Sequence, residues 1–297
     1  MVKIDGAAIA AGLAVPGRSD HKYTRGVVLA ATGSPTYPGA AVLSVAGAQA
    51  GGVGIVGYSG PQRCEDLVLS AAPEVVIDPG RVDAALVGSG WDSSMVTFVE
   101  ALVRECASRS VPVIVDAGAI AGVKEWAQQN PLMVATPHVG EAARMLTQFS
   151  VDASPPQIAA DIPTYAQQLA DLSGAIIVLK GADTAVAAPG EVAHVFTAPS
   201  AWGAVAGAGD VLAGLIGALV AGEVARRPAA QPTLLVPAVA AAVGLHGLAA
   251  SQASGVVDEE LSLSGQPGHP VTALQVAAAV PSVIGQILWK GSAPCIS

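Results

Sequence analysis

Short, uninterrupted apolar runs, each stopped at its carboxyl end by glycine or a polar residue, constrain this chain more than any other feature. Gly26–Thr32 reads GVVLAAT, Val111–Asp116 reads VPVIVD and Ala175–Lys180 reads AIIVLK. Val53–Tyr58, Glu74–Ile77, Ala84–Val87 and Leu132–Thr136 are of the same kind. Runs without alternation are strands that must be covered on both faces. Between them lie helical or small-residue stretches: Ala40–Gly51, Met95–Ser108, Asp210–Gly222 and Leu234–Ser251. Strand and helix in alternation predict an α/β fold, with a mostly parallel sheet and helices on both faces. Ligands of such sheets bind beyond the carboxyl ends of the strands. The polar and glycine residues of this chain gather at those ends.

Composition narrows the function classes. Of 297 residues, 52% are hydrophobic and 12% charged, which excludes a disordered chain. Aromatics are only 4%, so the core must be built from Ala, Val, Leu and Ile. No linker divides residues 1–297, which reads as one domain. The net charge is −9 and no Lys/Arg cluster occurs, which argues against a nucleic-acid partner. An anionic ligand would have to be held by local backbone dipoles against that charge. The mean hydropathy is +0.55. The longest apolar stretches, Val211–Gly222 and Leu234–Ala250, fall short of an uninterrupted run of roughly 18 residues, so a buried core is expected rather than a membrane span. The amino terminus has no signal-peptide pattern. Cys64, Cys106 and Cys295 lack metal spacing and read as reduced thiols of a cytoplasmic protein. Ser150–Pro163 and Ser254–Pro270 read as surface loops, the second with a solvated acidic run at Asp258-Glu259-Glu260.

The chemistry concentrates in a few segments. In Gly207-Ala208-Gly209-Asp210, small residues precede an acid that opens an apolar helix. Unpaired amides at a helix start, approached closely past glycines, make an anion hole. Asp210 at its rim could take a hydroxyl proton during phosphoryl transfer, or merely cap the helix. Lys180-Gly181-Ala182-Asp183-Thr184 follows a strand and could close over a nucleotide, the lysine acting as a point cation and Thr184 as a hydroxyl donor. Pro137 disfavours α geometry at Thr136, so His138 is presented from a loop at the sheet edge. Asp116 either holds Mg²⁺ near phosphates, through water, or orients its own loop. His246, inside an apolar helix, reads as a packing residue.

Together these segments are more specific than any one alone. His21-Lys22, Gly33-Ser34 with Pro38-Gly39-Ala40-Ala41-Val42-Leu43, Thr136-Pro137-His138 with Gly140-Glu141, Leu179-Lys180-Gly181 with Thr184, and Gly207–Gly214 resemble the NAD(P)H-hydrate dehydratase family. The likeness runs from His21 to the end helix Leu274–Ile284. It implies a ribokinase-like three-layer fold. It also implies an ADP-dependent dehydration of the S-epimer of NADHX or NADPHX, hydrated NADH or NADPH, through a phosphorylated intermediate, giving AMP and phosphate. ADP or ATP would be the donor, with Mg²⁺. By the same resemblance Asp210 is the base, and the amides of Gly207, Ala208 and Gly209 hold the transferring phosphoryl group. Lys180, Gly181, Ala182, Asp183, Thr184 and Gly209 form the nucleotide site. Ala40, Ala41, Gly90, His138 and Asp210 form the hydrate site. Relatives form homotetramers, and a separate epimerase is the expected functional partner, since about twenty residues before the first motif leave no room for an epimerase domain.

The chain departs from the family pattern in three places. A proline-containing turn becomes Gly88-Ser89-Gly90-Trp91-Asp92, Asp-Ala-Asp becomes Asp116-Ala117-Gly118, and a glycine of the lysine loop becomes Asp183. An ordinary small-molecule kinase of the same fold would also keep Asp210, but the Thr136–Glu141 segment argues against it. A nucleotide-binding pseudoenzyme would suit the altered turns, but the presence of Asp210 and Lys180 argues against it.

Overall fold

A computed structural model describes residues 1–227, 231–256 and 268–292. The chain begins with β1 (Val2–Lys3), α1 (Gly6–Ala11), β2 (Val27–Ala31), α2 (Gly39–Ala50), β3 (Ile55–Tyr58), α3 (Gln62–Ala71) and β4 (Val76–Ile77). It continues with β5 (Ala84–Val87), α4 (Val96–Ser108), β6 (Val113–Val115), α5 (Val123–Trp126), β7 (Met133–Ala135), α6 (Val139–Gln148), α7 (Pro155–Ala160) and α8 (Ile162–Ser173). The last elements are β8 (Ile176–Leu179), β9 (Asp183–Ala187), β10 (His194–Thr197), α9 (Ala208–Arg226), α10 (Pro232–Ala253) and α11 (Ala273–Ser292).

The strands form one sheet in the order β1-β10-β9-β8-β7-β6-β5-β2-β3-β4. All neighbours are parallel except β9, which runs antiparallel to both β8 and β10. The expected double coverage is visible residue by residue. Along β2, Val28 and Ala30 point into a core shared with α2, α9 and α10, while Leu29 and Ala31 point into a second core shared with α4, α6 and α8. Period-two side-chain direction on a sheet buried on both sides requires that split. The result is a three-layer α/β sandwich.

Helices α2 and α9 touch backbone to backbone. A Cβ at Gly214 would stand 2.0 Å from the Ser44 carbonyl oxygen, and one at Gly47 would stand 2.1 Å from that of Val211. Only glycine fits at either place, which explains the small-residue character of both helices. This contact fixes the start of α9 against α2.

Some expectations are revised. Ser150–Pro163 is not a loop but contains α7 and the start of α8. Pro155, Pro156 and Pro163 occupy first turns, where their missing N–H costs nothing. Ser154 and Gln157 form a capping box, and Asp161 caps α8. Ile158 and Ile162 are buried beneath. Helices α9 and α10, with 19 and 22 residues, outrun the expected stretches and are long and apolar enough to cross a membrane by length and composition. In the fold, 72% of each apolar window is buried. Cys64 and Cys106 are free buried thiols. Cys295, most of Ser254–Pro270 and its Asp258-Glu259-Glu260 run lie outside the described residues.

Candidate active site

The site is built where β5, β6, β7 and β8 end side by side. Asp116, one residue past β6, is 2% exposed. A buried carboxylate needs partners, and three neighbouring strand ends supply them. Ser89 Oγ donates to its Oδ2 at 2.8 Å; Thr136 Oγ1 and Lys180 Nζ donate to its Oδ1 at 2.6 and 2.9 Å. Asp116 therefore ties the ends of β5, β7 and β8 to its own strand through protein donors. Among the described residues no group of three His, Cys, Asp or Glu side chains is arranged to hold a metal ion.

Lys180 extends the sheet one residue beyond β8. It bridges in parallel to His138, and its N–H donates to the Pro137 carbonyl at 2.8 Å. Its ammonium lies 3.5 Å from where a Cβ would sit on Gly209. Lys180 is therefore ion-paired with Asp116 and faces the first turn of α9, rather than standing as a lone cation.

That turn is shaped by Gly207, the residue before the helix, at φ +86°. A side chain there would be strained and would meet Leu43 Cδ1 at 2.4 Å. The Ala208 N–H donates to the Val205 carbonyl at 3.2 Å, and the Val211 N–H opens the helix ladder to Gly207. Of the three amides expected to hold a phosphoryl group, that of Ala208 is thus already engaged. Gly209 and Asp210 supply the other first-turn amides that lack an intrahelical acceptor. Asp210 is not the helix cap; Gly207 is. The helix dipole and Lys180 favour the Asp210 carboxylate, but burial and the neighbouring Asp116 outweigh them and raise its pKa to about 7.

A cleft of about 720 Å³ opens beside this turn, walled by Lys180, Thr184, Ala201, Gly209, Leu212 and His246. Gly181, Ala182 and His138 also line it. The expected nucleotide residues therefore meet in one cavity, with one exception. Asp183 begins β9, where its carboxylate accepts from Thr197 Oγ1 at 2.6 Å across the β9–β10 pair, and it lines a separate depression. The Thr184 hydroxyl, expected to donate outward, donates to the Gly181 carbonyl at 3.1 Å and closes the turn.

The expected hydrate residues form a second corner. A Cβ on Gly90 would lie 2.3 Å from that of Ala40, and one on Gly33 3.0 Å from that of Ala41. One turn beyond Ala40, Leu43 reaches Gly207, so this corner adjoins the start of α9. His138 caps α6: its Nδ1 accepts from the Gly140 N–H at 3.0 Å, and Glu141 accepts from its backbone N–H at 2.9 Å. The ring stands in the cleft with Lys180, whereas Ala40 and Gly90 lie in the other corner. His21-Lys22 precedes β2 and lies at the opposite ends of the strands.

Four contributors were missed. Ser89 and Thr136 anchor Asp116, and Ser89 falls in a turn noted only as a departure. The 198–205 loop that walls the cleft carries no periodic signal. His246, expected in packing, lines the cleft, and its Nε2 is buried without a hydrogen-bond partner.

A sequence profile of the NAD(P)H-hydrate dehydratase family matches residues 28–259. The bifunctional NAD(P)H-hydrate repair enzyme Nnr of Mycobacterium tuberculosis is 40% identical over 222 residues, 72% of this chain and 44% of the relative. The chain thus spans less than half the length of that relative. The ADP-dependent (S)-NAD(P)H-hydrate dehydratase of Neisseria meningitidis is 30% identical over 77% of this chain and 78% of its own. The ADP/ATP-dependent NAD(P)H-hydrate dehydratase of Bacillus subtilis, co-crystallised with ATP and Mg²⁺, superposes with a TM-score of 0.78 at 26% identity, covering 96% of this chain and 98% of that one. A ribokinase-like protein of Enterococcus faecalis, at 20% identity and a TM-score of 0.77, shares the fold.

Proposed function

From the chain's membership of the NAD(P)H-hydrate dehydratase family, we propose that it carries out ADP-dependent dehydration of the S-epimer of NADHX or NADPHX, returning NADH or NADPH with AMP and phosphate. The observation that carries this reading is Asp210. It is a carboxylate in the first turn of a glycine-opened helix, close to the Lys180–Asp116 pair, with a pKa of about 7.

A base with that pKa is half ionised near neutrality and can take the proton of the ring hydroxyl. The freed oxygen attacks the terminal phosphorus of ADP, and AMP leaves with the electron pair of the bond that breaks. Lys180 and the amides at the start of α9 face the phosphoryl oxygens as charge builds on them. Hydroxide is a poor leaving group and phosphate a good one. The phosphate then departs with the carbon–oxygen electrons, a proton is lost from the adjacent ring carbon, and the double bond returns.

In this reading the nucleotide occupies the cleft between Lys180–Thr184 and Gly209, and the hydrated ring enters by Ala40, Ala41 and Gly90, with Asp210 between them and His138 at the border. Asp183 stays outside, through its bond to Thr197. The residues offer Mg²⁺ no protein cage, so the ion would be carried chiefly by the polyphosphate. A homotetramer, a cytoplasmic location and an epimerase partner for the R-epimer complete the proposal.

The test follows absorbance at 340 nm with NADH hydrate, Mg²⁺ and either ADP or ATP. A rise that depends on nucleotide establishes the reaction and names the donor. Nucleotide binding without any rise would reject it.

A further inference from the structure

At the opposite ends of the strands from the candidate active site, a second cavity of about 300 Å³ opens. It lies between the segment that joins α1 to β2, the last turns of α2 and α9, and α11. Leu13, Leu219, Ile284 and Leu288 give it an apolar wall, and Arg25 and Arg226 stand in the same wall. It shares no lining residue with the active-site cleft. An apolar hollow with a few convergent polar groups is the usual make-up of a small-molecule site, and this volume is at the lower end of the range for one.

The two arginines are paired differently from others in the chain. Arg81, Arg104, Arg109 and Arg227 each have a carboxylate oxygen between 2.9 and 3.8 Å away. Among the described residues, Arg25 and Arg226 have backbone carbonyls instead. Arg25 Nη2 donates to Gly52 at 2.6 Å, and Arg226 Nη2 donates to Val15 at 2.8 Å. A guanidinium carries five N–H groups, so one bond apiece leaves donors over. Arg25 Nε is enclosed by protein, so the donors it has to offer are on its terminal nitrogens.

The local charge selects the kind of ligand. Helices α2 and α9 both end at this cavity, and each helix end brings roughly half a unit of negative charge. The two guanidiniums outweigh them and leave about one positive unit. Asp20 is near enough to Arg226 to feel its charge, but its oxygens accept from the Gly17 N–H and the Thr24 hydroxyl. That excess suits a monoanion and is too small for a polyphosphate. The planar guanidinium fork matches a carboxylate, and the apolar wall favours a hydrocarbon chain behind it.

We propose that this cavity is a second ligand site, which takes a monoanionic carboxylate with a short apolar chain. The carboxylate meets Arg25 and Arg226, and the chain lies along Leu13, Leu219, Ile284 and Leu288. The occupant rests against the closing turns of α2 and α9, the two helices whose opening turns border the candidate active site.

Calorimetric titration of the full chain with octanoate, octanol and ADP tests it. Octanoate should bind one to one. Octanol, which has the chain without the charge, should bind at least about 10-fold more weakly. Arg226→Gln should weaken octanoate about 10-fold while ADP affinity holds. Leu288→Glu keeps both arginines but sets a like charge against the wall. It should weaken octanoate at least as much, and it serves if the Arg226 variant fails to fold. Absence of saturable octanoate binding by the parent overturns the proposal, as do equal affinities for octanoate and octanol. Parent-like octanoate affinity in either folded variant also overturns it. So does displacement of octanoate by ADP, which would put the anion in the active-site cleft.

Discussion

Lys180 and Asp116 lie past the ends of β8 and β6, with β7 between those strands, and their side chains meet across the gap at 2.9 Å. The pair holds the ammonium against the first turn of α9 and neutralises a carboxylate that is almost fully buried. Lys180→Met leaves Asp116 with two hydroxyl donors and no cation. Urea unfolding should show a loss of about 3 kcal/mol, the size expected when one partner of a buried pair is removed. Adding Asp116→Asn should restore part of that loss, giving a double variant more stable than the sum of the singles. Simple additivity would show that the two side chains act independently.

Asp210→Asn separates base from scaffold. If Asp210 is the base, kcat falls by at least about 100-fold while ADP affinity is kept, because the amide preserves shape. The parent's kcat/KM should rise with pH through about 7, as the carboxylate ionises. The sign for stability is opposite. A carboxyl whose folded pKa is raised holds its proton longer in the folded state than in the unfolded one. Its contribution to stability is therefore lost as pH rises from about 4 to about 7. The Asn variant should lack that decline in thermal melts. Parent-like turnover in the variant would remove Asp210 from the chemistry.

Gly207→Ala places a side chain at φ +86°, with Leu43 Cδ1 at 2.4 Å. The strained backbone alone should cost about 1–3 kcal/mol. Because position 207 sets the direction of the first-turn amides, kcat should fall more than fold stability does. Chemical denaturation and initial rates on one preparation distinguish the two. An unchanged rate would mean the turn tolerates a different entry into α9.

Two departures from the family pattern touch each other. A Cβ on Gly118 would stand 2.8 Å from Trp91 Cβ and 3.2 Å from its ring. Restoring the family's acid with Gly118→Asp should therefore destabilise by about 1–3 kcal/mol. In a Trp91→Gly background the same change should be tolerated better, with a coupling of about 1 kcal/mol in a double-mutant cycle. Zero coupling would mean that the two substitutions arose without regard to each other.

The central strands β2, β3, β5, β6, β7 and β8 were legible because each is an apolar run buried on both faces, and burial overrides weak local propensity. Strand β9 was not: Asp183-Thr184 looks like loop chemistry, and the segment becomes a strand only by pairing antiparallel between β8 and β10. The two-residue strand β1 is too short to carry a period. Helices α1, α3, α7 and α8 hid behind prolines and short amphipathic stretches. At the site, glycine, lysine and aspartate turns stood out because their chemistry is local. Ser89, Thr136 and the environment of His246 did not, since each gains its meaning from residues distant in sequence. The ion pair of Asp116 likewise depends on Lys180, 64 positions away.

The outermost strand carries a consequence for how the chain acquires its shape. Val2 and Lys3 pair in parallel with His194 and Val195. Residues 2 and 3 precede β2 through β9 in the chain, yet their sheet partner among the described residues, β10, follows all of them. A segment made before β2 is thus among the last able to dock in the sheet. Pairings so far apart in sequence slow folding and leave edges open to other chains. The late arrival of β10 thus sets an order of assembly, in which the sheet grows through its middle before its amino-terminal margin can close.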